Sequence, residues 1–138
     1  MTKIAVAGTG YVGLSISVLL AQHNEVVALD IDAARVERLN RRESPIQDAE
    51  IIDFLAHQEL DLRFTTDPAD AYAGAEYVVI ATPTDYDPET HYFDTSSVEQ
   101  VARDVLRLEP GAVMVIKSTI PVGFTKQLRQ RLGADNVI

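Results

Sequence analysis

The hydrophobic positions of the chain fall in short unbroken runs rather than in an alternating pattern. Four of these runs are Lys3–Ala7, Glu25–Leu29, Tyr77–Ala81 and Ala112–Ile116. Such runs are typical of strands that are buried on both faces of a parallel sheet. The pattern therefore predicts four central strands, and Leu62–Thr65 is a weaker strand candidate.

Helix-like segments separate the predicted strands. The first follows Gly10 and falls roughly within 12–40, and the others are at 48–60, 67–73, 96–108 and 123–132. Strands that alternate with helices predict an α/β fold, here a Rossmann-like doubly wound parallel sheet. Residues 136–138 resemble the start of another strand at the sixth position of such a sheet. We therefore expect one domain, residues 1–138, that stops near its sixth strand and is the N-terminal part of a longer protein.

Local signals mark where several helices begin and end. Asp67 stands before Pro68, which places a capping side chain ahead of a proline at the first helical position. Ser96 and Glu99 have the spacing of a capping box. Gly133 is expected to end the last helix.

Composition narrows the possible classes of function. The chain has 138 residues, 46% of them apolar, which suffices for one sizeable core. It has no cysteine, so disulfides, thiolate metal sites and cysteine nucleophiles are excluded within it. Its net charge of −9 opposes general binding to nucleic acids or anionic membranes, because both are polyanions. The N-terminal residues show no signal-peptide pattern, so a cytoplasmic location is expected.

A glycine-rich turn follows the first predicted strand directly. Gly8, Gly10 and Gly13 form the pattern G-x-G-x-x-G and precede an apolar helical segment. In dinucleotide-binding folds the first glycine permits a tight turn, the second lets the backbone approach a pyrophosphate, and the third allows close helix–strand packing. The helix N-terminus then offers N–H groups to the phosphates. The motif explains how an acidic domain could hold an anionic ligand.

An acidic residue completes the dinucleotide pattern. Asp30 lies at the end of the second predicted strand, 22 residues after Gly8. A carboxylate at this position accepts hydrogen bonds from the ribose hydroxyls of the adenosine half. It would also repel a 2′-phosphate, so NAD is favoured over NADP.

Several motifs together resemble one family. They are Gly8–Ser15, Ser44–Ile46, Ala81–Asp87, Tyr92–Glu99 and Lys117–Gly123. In this combination the chain resembles, over essentially its whole length, the N-terminal domain of the nucleotide-sugar dehydrogenases. The Thr-Pro-Thr-Asp-Tyr-Asp stretch within Ala81–Asp87 points to the UDP-glucose branch rather than the GDP-mannose branch.

The resemblance implies roles for particular residues. Val12 would lie under NAD, Asp30 and Arg35 would hold the adenine ribose, and Thr84 would line the nicotinamide side. Thr119 would sit at the reaction centre as the catalytic residue of this domain. The full set of implied cofactor-binding residues is Gly8, Gly10, Tyr11, Val12, Gly13, Asp30, Arg35, Thr84 and Thr119.

The resemblance also implies a reaction that this chain cannot complete. Enzymes of this kind oxidise UDP-glucose to UDP-glucuronate with two NAD, by way of a cysteine thioester in a region that follows this domain. The same region supplies the uridine site and the homodimer interface. Because the chain has no cysteine, we expect it to bind NAD without turning over UDP-glucose. Lys117, in the Lys-Ser-Thr motif, is interpreted as structural.

Alternative interpretations remain at this stage. The chain could be the cofactor domain of another NAD-dependent dehydrogenase, or a self-contained dinucleotide-sensing regulatory domain. Asp85–His91 has oxygen and imidazole groups at alternate positions, but Thr90 and Ser96 stand where an EF-hand loop needs glycine and glutamate. The three histidines lack a metal-ligand spacing, so no metal site is expected. Arg38, Arg41 and Arg42 are interpreted as surface or interface residues.

Overall fold

A computed structural model describes residues 2–90 and 92–138 of the chain. Its strands are β1 (Lys3–Ala7), β2 (Glu25–Leu29), β3 (Leu62–Thr65), β4 (Tyr77–Ile80), β5 (Asp85–Asp87), β6 (Tyr92–Asp94) and β7 (Val113–Ile116). Its helices are α1 (Tyr11–Leu20), α2 (Ala33–Asn40), α3 (Ala49–His57), α4 (Pro68–Tyr72), α5 (Ser96–Leu108) and α6 (Phe124–Leu132).

Five of the strands form one parallel sheet in the order β3-β2-β1-β4-β7. The predicted Rossmann-like doubly wound architecture is confirmed, and the weaker candidate Leu62–Thr65 is an edge strand. Residues 136–138 extend the sheet beyond β7. Val137 pairs with Met114 in parallel, and the Ile138 amide donates to the Met114 carbonyl across 2.8 Å. The last residues therefore lie at the sixth strand position, as their sequence predicted.

The helices cover both faces of the sheet and produce two hydrophobic clusters. On one face α1, α2 and α3 pack over β1 and β2 through residues such as Leu14 and Leu39. On the other face α4, α5 and α6 pack through residues such as Tyr72, Val105 and Leu128. Because β1 leads to α1 on the first face and β4 leads towards α5 on the second, the chain changes direction between these neighbouring strands. Open α/β sheets bind their ligands at this type of switch point.

Helix starts agree only partly with the sequence. Asp67 accepts a hydrogen bond from the Ala69 amide across 3.0 Å with Pro68 in the first turn, as predicted. The capping box at Ser96 is wrong. Thr95 precedes the helix, Ser96 is already helical, and the Ser96 amide and hydroxyl both donate to Asp94. Asp94, in the turn before the helix, therefore accepts from the Ser96 amide, which a capping box would have paired with Glu99.

The segment from Asp85 to His91, interpreted from its sequence as a polar solvated loop, is not entirely a loop. Asp85–Asp87 pairs with Tyr92–Asp94 as a small antiparallel sheet outside the main one. Cross-strand partners of this kind cannot be read from one short polar segment alone, because strand pairing depends on both segments. His91 lies outside the described residues.

Candidate functional site

The glycine turn joins β1 to α1 and is fixed by close backbone contacts. Gly8 has φ of +104°, and a Cβ at this residue would lie 2.5 Å from the Ala81 carbonyl oxygen at the end of β4. At Gly13 a Cβ would lie 2.0 Å from the Gly8 carbonyl oxygen. Both distances are far below van der Waals contact. The first and third glycines are therefore required by the protein's own packing, as the sequence motif predicted.

Gly10 differs from the other two glycines of the motif. Its backbone is extended, with φ of −71°, and a Cβ built there meets no described atom within 4 Å. The fold of the described residues therefore gives no steric reason for glycine here. Gly10 is also the cap of α1, and no side chain of the described residues forms a capping hydrogen bond to this helix. By contrast, Asp32 caps α2 and accepts hydrogen bonds from two of its amides. The space beside Gly10 and the first-turn amides of α1 together fit an anionic group.

A polar network adjoins the turn at the end of β2. The buried hydroxyl of Thr9 donates a hydrogen bond to Asp30 Oδ2. Arg35 donates from Nε to the Thr9 hydroxyl across 2.9 Å and from Nη2 to the Thr9 carbonyl across 2.6 Å. The Asp32 amide donates to Asp30 Oδ1 across 3.0 Å. The structure thus brings Asp30 and Arg35 together, with Arg35 Nε 3.8 Å from Asp30 Oδ2.

A cavity of about 560 Å³ opens beside this network at the carboxyl edge of the sheet. The turn residues Gly8 and Gly10 line one end, and Asp30 and Arg35 lie beside them. The rest lies between α4 and α5 and includes apolar groups. The lining also includes Thr9, Ile31, Pro68, Tyr72, Gln100, Val101 and Asp104. Such a combination of apolar walls with a few polar groups is typical of a small-ligand site.

The remaining predicted site residues lie outside the lining of this cavity. Tyr11 and Val12 form the first turn of α1 and are 60% and 45% exposed. Thr84 follows β4 and Thr119 follows β7, and the Thr84 hydroxyl donates to the Thr119 carbonyl across 2.5 Å. The structure therefore joins these two threonines to each other at the same edge of the sheet.

The loops after β4 and β7 are held together by a second set of hydroxyls. Ser118 Oγ donates to the Thr82 carbonyl across 2.7 Å, and Ser97 Oγ donates to the Pro83 carbonyl across 2.7 Å. Lys117 is exposed at the end of β7. These bonds fix the backbone on which Thr84 and Thr119 stand.

Two contributions to the site could not be found from sequence. Thr9 is a variable position of the glycine pattern, and only the structure shows its hydroxyl between Asp30 and Arg35. Tyr72 and Asp104 come from α4 and α5, where helical spacing gave no reason to select them. Arg42, interpreted as a surface or interface residue, is instead structural in part, because its guanidinium donates to the Leu62 carbonyl across 2.8 Å.

Metal ligands and membrane spans are absent from the described part of the chain. Within residues 2–90 and 92–138, no three His, Asp or Glu side chains gather closely enough to hold a metal ion. No helix of the same residues is long and apolar enough to cross a bilayer.

The doubly wound sheet, the glycine turn at its switch point and the acid after β2 define a dinucleotide-binding domain. The family described as UDP-glucose/GDP-mannose dehydrogenase family, NAD binding domain, matches residues 2–137. The chain belongs to this family, and its cofactor is NAD. The family assignment favours the dehydrogenase interpretation over a dinucleotide-sensing regulatory domain.

Individual relatives agree with the family. A UDP-glucose 6-dehydrogenase of Streptococcus pneumoniae is 48% identical over 136 residues, which cover 99% of this chain and 34% of that protein. One from Campylobacter jejuni is 40% identical, with 99% and 35% covered. The solved UDP-glucose dehydrogenase of Pyrobaculum islandicum superposes with a TM-score of 0.84 at 30% identity, covering 95% of this chain and 32% of that one. The chain thus spans about a third of the length of these proteins.

Proposed function

We propose that this chain supplies the NAD site of an enzyme that oxidises the C6 alcohol of UDP-glucose to UDP-glucuronate. The proposal rests on the open space beside Gly10, where a Cβ would meet no described atom within 4 Å. This space adjoins the N-terminus of α1, which no described side chain caps, and a cavity that is also lined by Asp30. The choice of UDP-glucose within the family rests on the Thr82–Asp87 motif and on the two UDP-glucose 6-dehydrogenase relatives.

The turn would hold the diphosphate of NAD. The amides at the start of α1 carry the positive end of the helix dipole, and no side chain competes for them. Gly10 would leave room for the phosphates against the backbone. Tyr11 and Val12, in the exposed first turn of α1, would contact the cofactor, with Val12 lying under it. Gly8 and Gly13 would act indirectly by allowing the turn to form.

Asp30 would accept hydrogen bonds from the ribose hydroxyls. The Thr9 hydroxyl and the Asp32 amide each donate to one of its carboxylate oxygens, which fixes the orientation of the group before a ligand arrives. Arg35 would hold the same ribose from the other side while it remains bonded to Thr9. Positioned in this way, the carboxylate would also repel the 2′-phosphate of NADP.

Thr84 and Thr119 would line the nicotinamide end. NAD bound here would supply the hydride acceptor, and the full oxidation of an alcohol to a carboxylate would consume two NAD, one for each two-electron step. Thr119 is proposed as the catalytic residue of this domain, with its exposed side chain facing the region where substrate would lie. The bond from Thr84 to the Thr119 carbonyl would fix the Thr119 backbone during this chemistry.

The remaining chemistry would require residues outside this sequence. A thioester intermediate needs a cysteine, which the chain does not have. We therefore propose that the 138-residue chain binds NAD and does not turn over UDP-glucose. The homodimer that the resemblance implies and the cytoplasmic location that the sequence favours belong to the same proposal.

Calorimetric titration of the purified chain with NAD, with NADP and with UDP-glucose tests these statements together. We expect saturable binding of NAD, weaker binding of NADP, and no formation of reduced nicotinamide when NAD and UDP-glucose are mixed with the chain. Formation of reduced nicotinamide by the chain would overturn the proposal that this chain binds NAD without turning over UDP-glucose. An encoding open reading frame that continues past Ile138 into a cysteine-containing segment would support the enzyme interpretation.

A further inference from the structure

Tyr72 carries a buried hydroxyl whose hydrogen-bonding capacity is unused within the described part of the chain. The side chain is fully buried on α4, and its Oη has no hydrogen-bond partner among those residues. A buried polar group without a partner destabilises the fold, so an unpaired hydroxyl requires an explanation. Tyr72 also lines the cavity beside the glycine turn. A ligand atom in that cavity would supply the missing partner.

Asp104 stands across the same cavity, on α5. Its side chain is 20% exposed, and it lies close enough to Tyr72 for its charge to raise the pKa of that phenol further, beyond the larger effect of burial. The bonds from Gln100, at 3.0 Å, and Arg107, at 3.5 Å, both end on Asp104 Oδ1. The carboxylate can therefore accept a further hydrogen bond through its second oxygen.

Tyr72 and Asp104 lie on the side of the cavity that the adenine base of NAD would occupy. The cavity runs from Gly10 past Asp30 and into the crevice between α4 and α5. A diphosphate at the turn and a ribose at Asp30 leave this crevice for the base. Its walls include the apolar side chains of Ile31, Pro68 and Val101, which suit the faces of a flat ring.

We propose that Tyr72 and Asp104 form a polar pair that recognises the amino edge of the adenine ring and makes the site selective for adenine over hypoxanthine. Asp104 accepts a hydrogen bond from the exocyclic amine. The Tyr72 hydroxyl, which has almost no exposed surface in the structure, turns towards the cavity and donates to the ring nitrogen adjacent to that amine. The inference rests on the proposed function, because it requires NAD to lie with its diphosphate at the turn.

The chemistry of the pair gives the direction of the selectivity. A carboxylate accepts hydrogen bonds and cannot donate one. It therefore favours the amine of adenine and repels the carbonyl oxygen that replaces this amine in hypoxanthine. An asparagine at residue 104 could donate to that oxygen. A site whose buried polar groups hydrogen-bond to a ligand discriminates strongly against analogues that leave those groups without a hydrogen-bond partner.

Calorimetric titration with NAD and with its hypoxanthine analogue, deamino-NAD, tests the pair. We expect the wild-type chain to bind NAD more tightly by about ten-fold or more. Asp104→Asn should remove or reverse this preference. Tyr72→Phe should weaken NAD binding by about three- to ten-fold. Asp135→Asn and Tyr77→Phe, which change exposed side chains away from the cavity, should change neither affinity.

A stability measurement separates recognition from a structural role. Because the Tyr72 hydroxyl is unpaired in the described structure, Tyr72→Phe should unfold at the same temperature as the wild-type chain or higher in the absence of NAD. A lowered unfolding temperature would assign the hydroxyl a structural bond and overturn the proposal. Equal binding of both dinucleotides by the wild-type chain would also overturn it while leaving the proposed function intact. Failure of the wild-type chain to bind either dinucleotide would instead refute the proposed function and the inference with it.

Discussion

Arg35 donates two hydrogen bonds to Thr9, from Nε to the hydroxyl across 2.9 Å and from Nη2 to the backbone carbonyl across 2.6 Å. The same hydroxyl donates to Asp30. A residue in a variable position of the glycine pattern therefore connects the basic and acidic groups that are proposed to hold the ribose. If Asp30 and Arg35 hold the ribose as proposed, part of the affinity for NAD would depend on a side chain that does not itself need to contact the cofactor.

Replacement of Thr9 by valine tests this arrangement. Thr9→Val keeps the shape of the side chain and removes the hydroxyl, so Asp30 loses a donor that fixes its orientation. We expect the affinity for NAD to fall by about 1 kcal/mol, the usual contribution of one such bond. Thr2→Val, at the opposite edge of the sheet, is the matched control. Calorimetry that shows equal affinity for wild type and Thr9→Val would remove Thr9 from the site.

Asp30→Asn tests the carboxylate itself. We expect NAD binding to weaken by about 1–3 kcal/mol, the scale of a hydrogen bond to a charged group. The ratio of NAD to NADP affinity should also narrow, because the negative charge that opposes the 2′-phosphate is gone. Asp61→Asn, an exposed acid at the amino edge of the sheet, serves as the control. Unchanged NAD affinity in Asp30→Asn would contradict the proposed ribose contact.

The glycines of the turn should separate into two kinds when they are substituted. Gly10→Val places a side chain in open space, so the chain should fold and lose NAD binding. Gly13→Ala places a Cβ 2.0 Å from the Gly8 carbonyl oxygen, so it should lower the unfolding temperature before any effect on binding is considered. Circular dichroism and calorimetry on both variants provide the comparison. A folded Gly10→Val that retains NAD affinity would mean that the phosphates lie elsewhere.

Much of the fold could be predicted from the sequence because its signals are local. Continuous apolar runs identified β1, β2, β4 and β7, and the glycine spacing located the turn. The sixth strand position of residues 136–138 followed from their order in the chain. Each of these features depends on neighbouring residues, and α/β topology restricts how the strands can be arranged.

Features that depend on distant residues were missed. The hairpin of β5 and β6 requires two polar segments to pair. The capping box at Ser96 failed because Asp94 already accepts the hydrogen bond from the Ser96 amide, and the Glu99 amide donates to the Thr95 carbonyl. The links from Thr9 to Asp30 and Arg35 join residues that are 21 and 26 positions apart. Tyr72 belongs to a helix of five residues, too short to show an amphipathic period.

The phenol of Tyr72 should affect stability at high pH. Burial, with the nearby charge of Asp104 as a second cause, raises its pKa above the ordinary value of about 10. The unfolded chain releases this proton near pH 10 whereas the folded chain keeps it. The contribution is therefore fully present below about pH 10 and is lost as the pH rises towards the folded pKa.

Tyr72→Phe removes this titration. The free energy of unfolding, measured with urea at about pH 8 and about pH 11, should fall less in Tyr72→Phe than in the wild-type chain. Tyr77→Phe removes a tyrosine that is 45% exposed and should behave as the wild type does. An equal fall in wild type and Tyr72→Phe would show that the phenol ionises as readily in the folded chain as in the unfolded one.

A crystal structure of the chain grown with NAD would show whether the glycine turn holds the cofactor. We expect density for a diphosphate against the amides that begin α1 beside Gly10, with ribose hydroxyls on Asp30 and the adenine in the crevice between α4 and α5. A structure in which the chain has bound NAD elsewhere, or in which the turn is filled by its own side chains, would contradict this expectation.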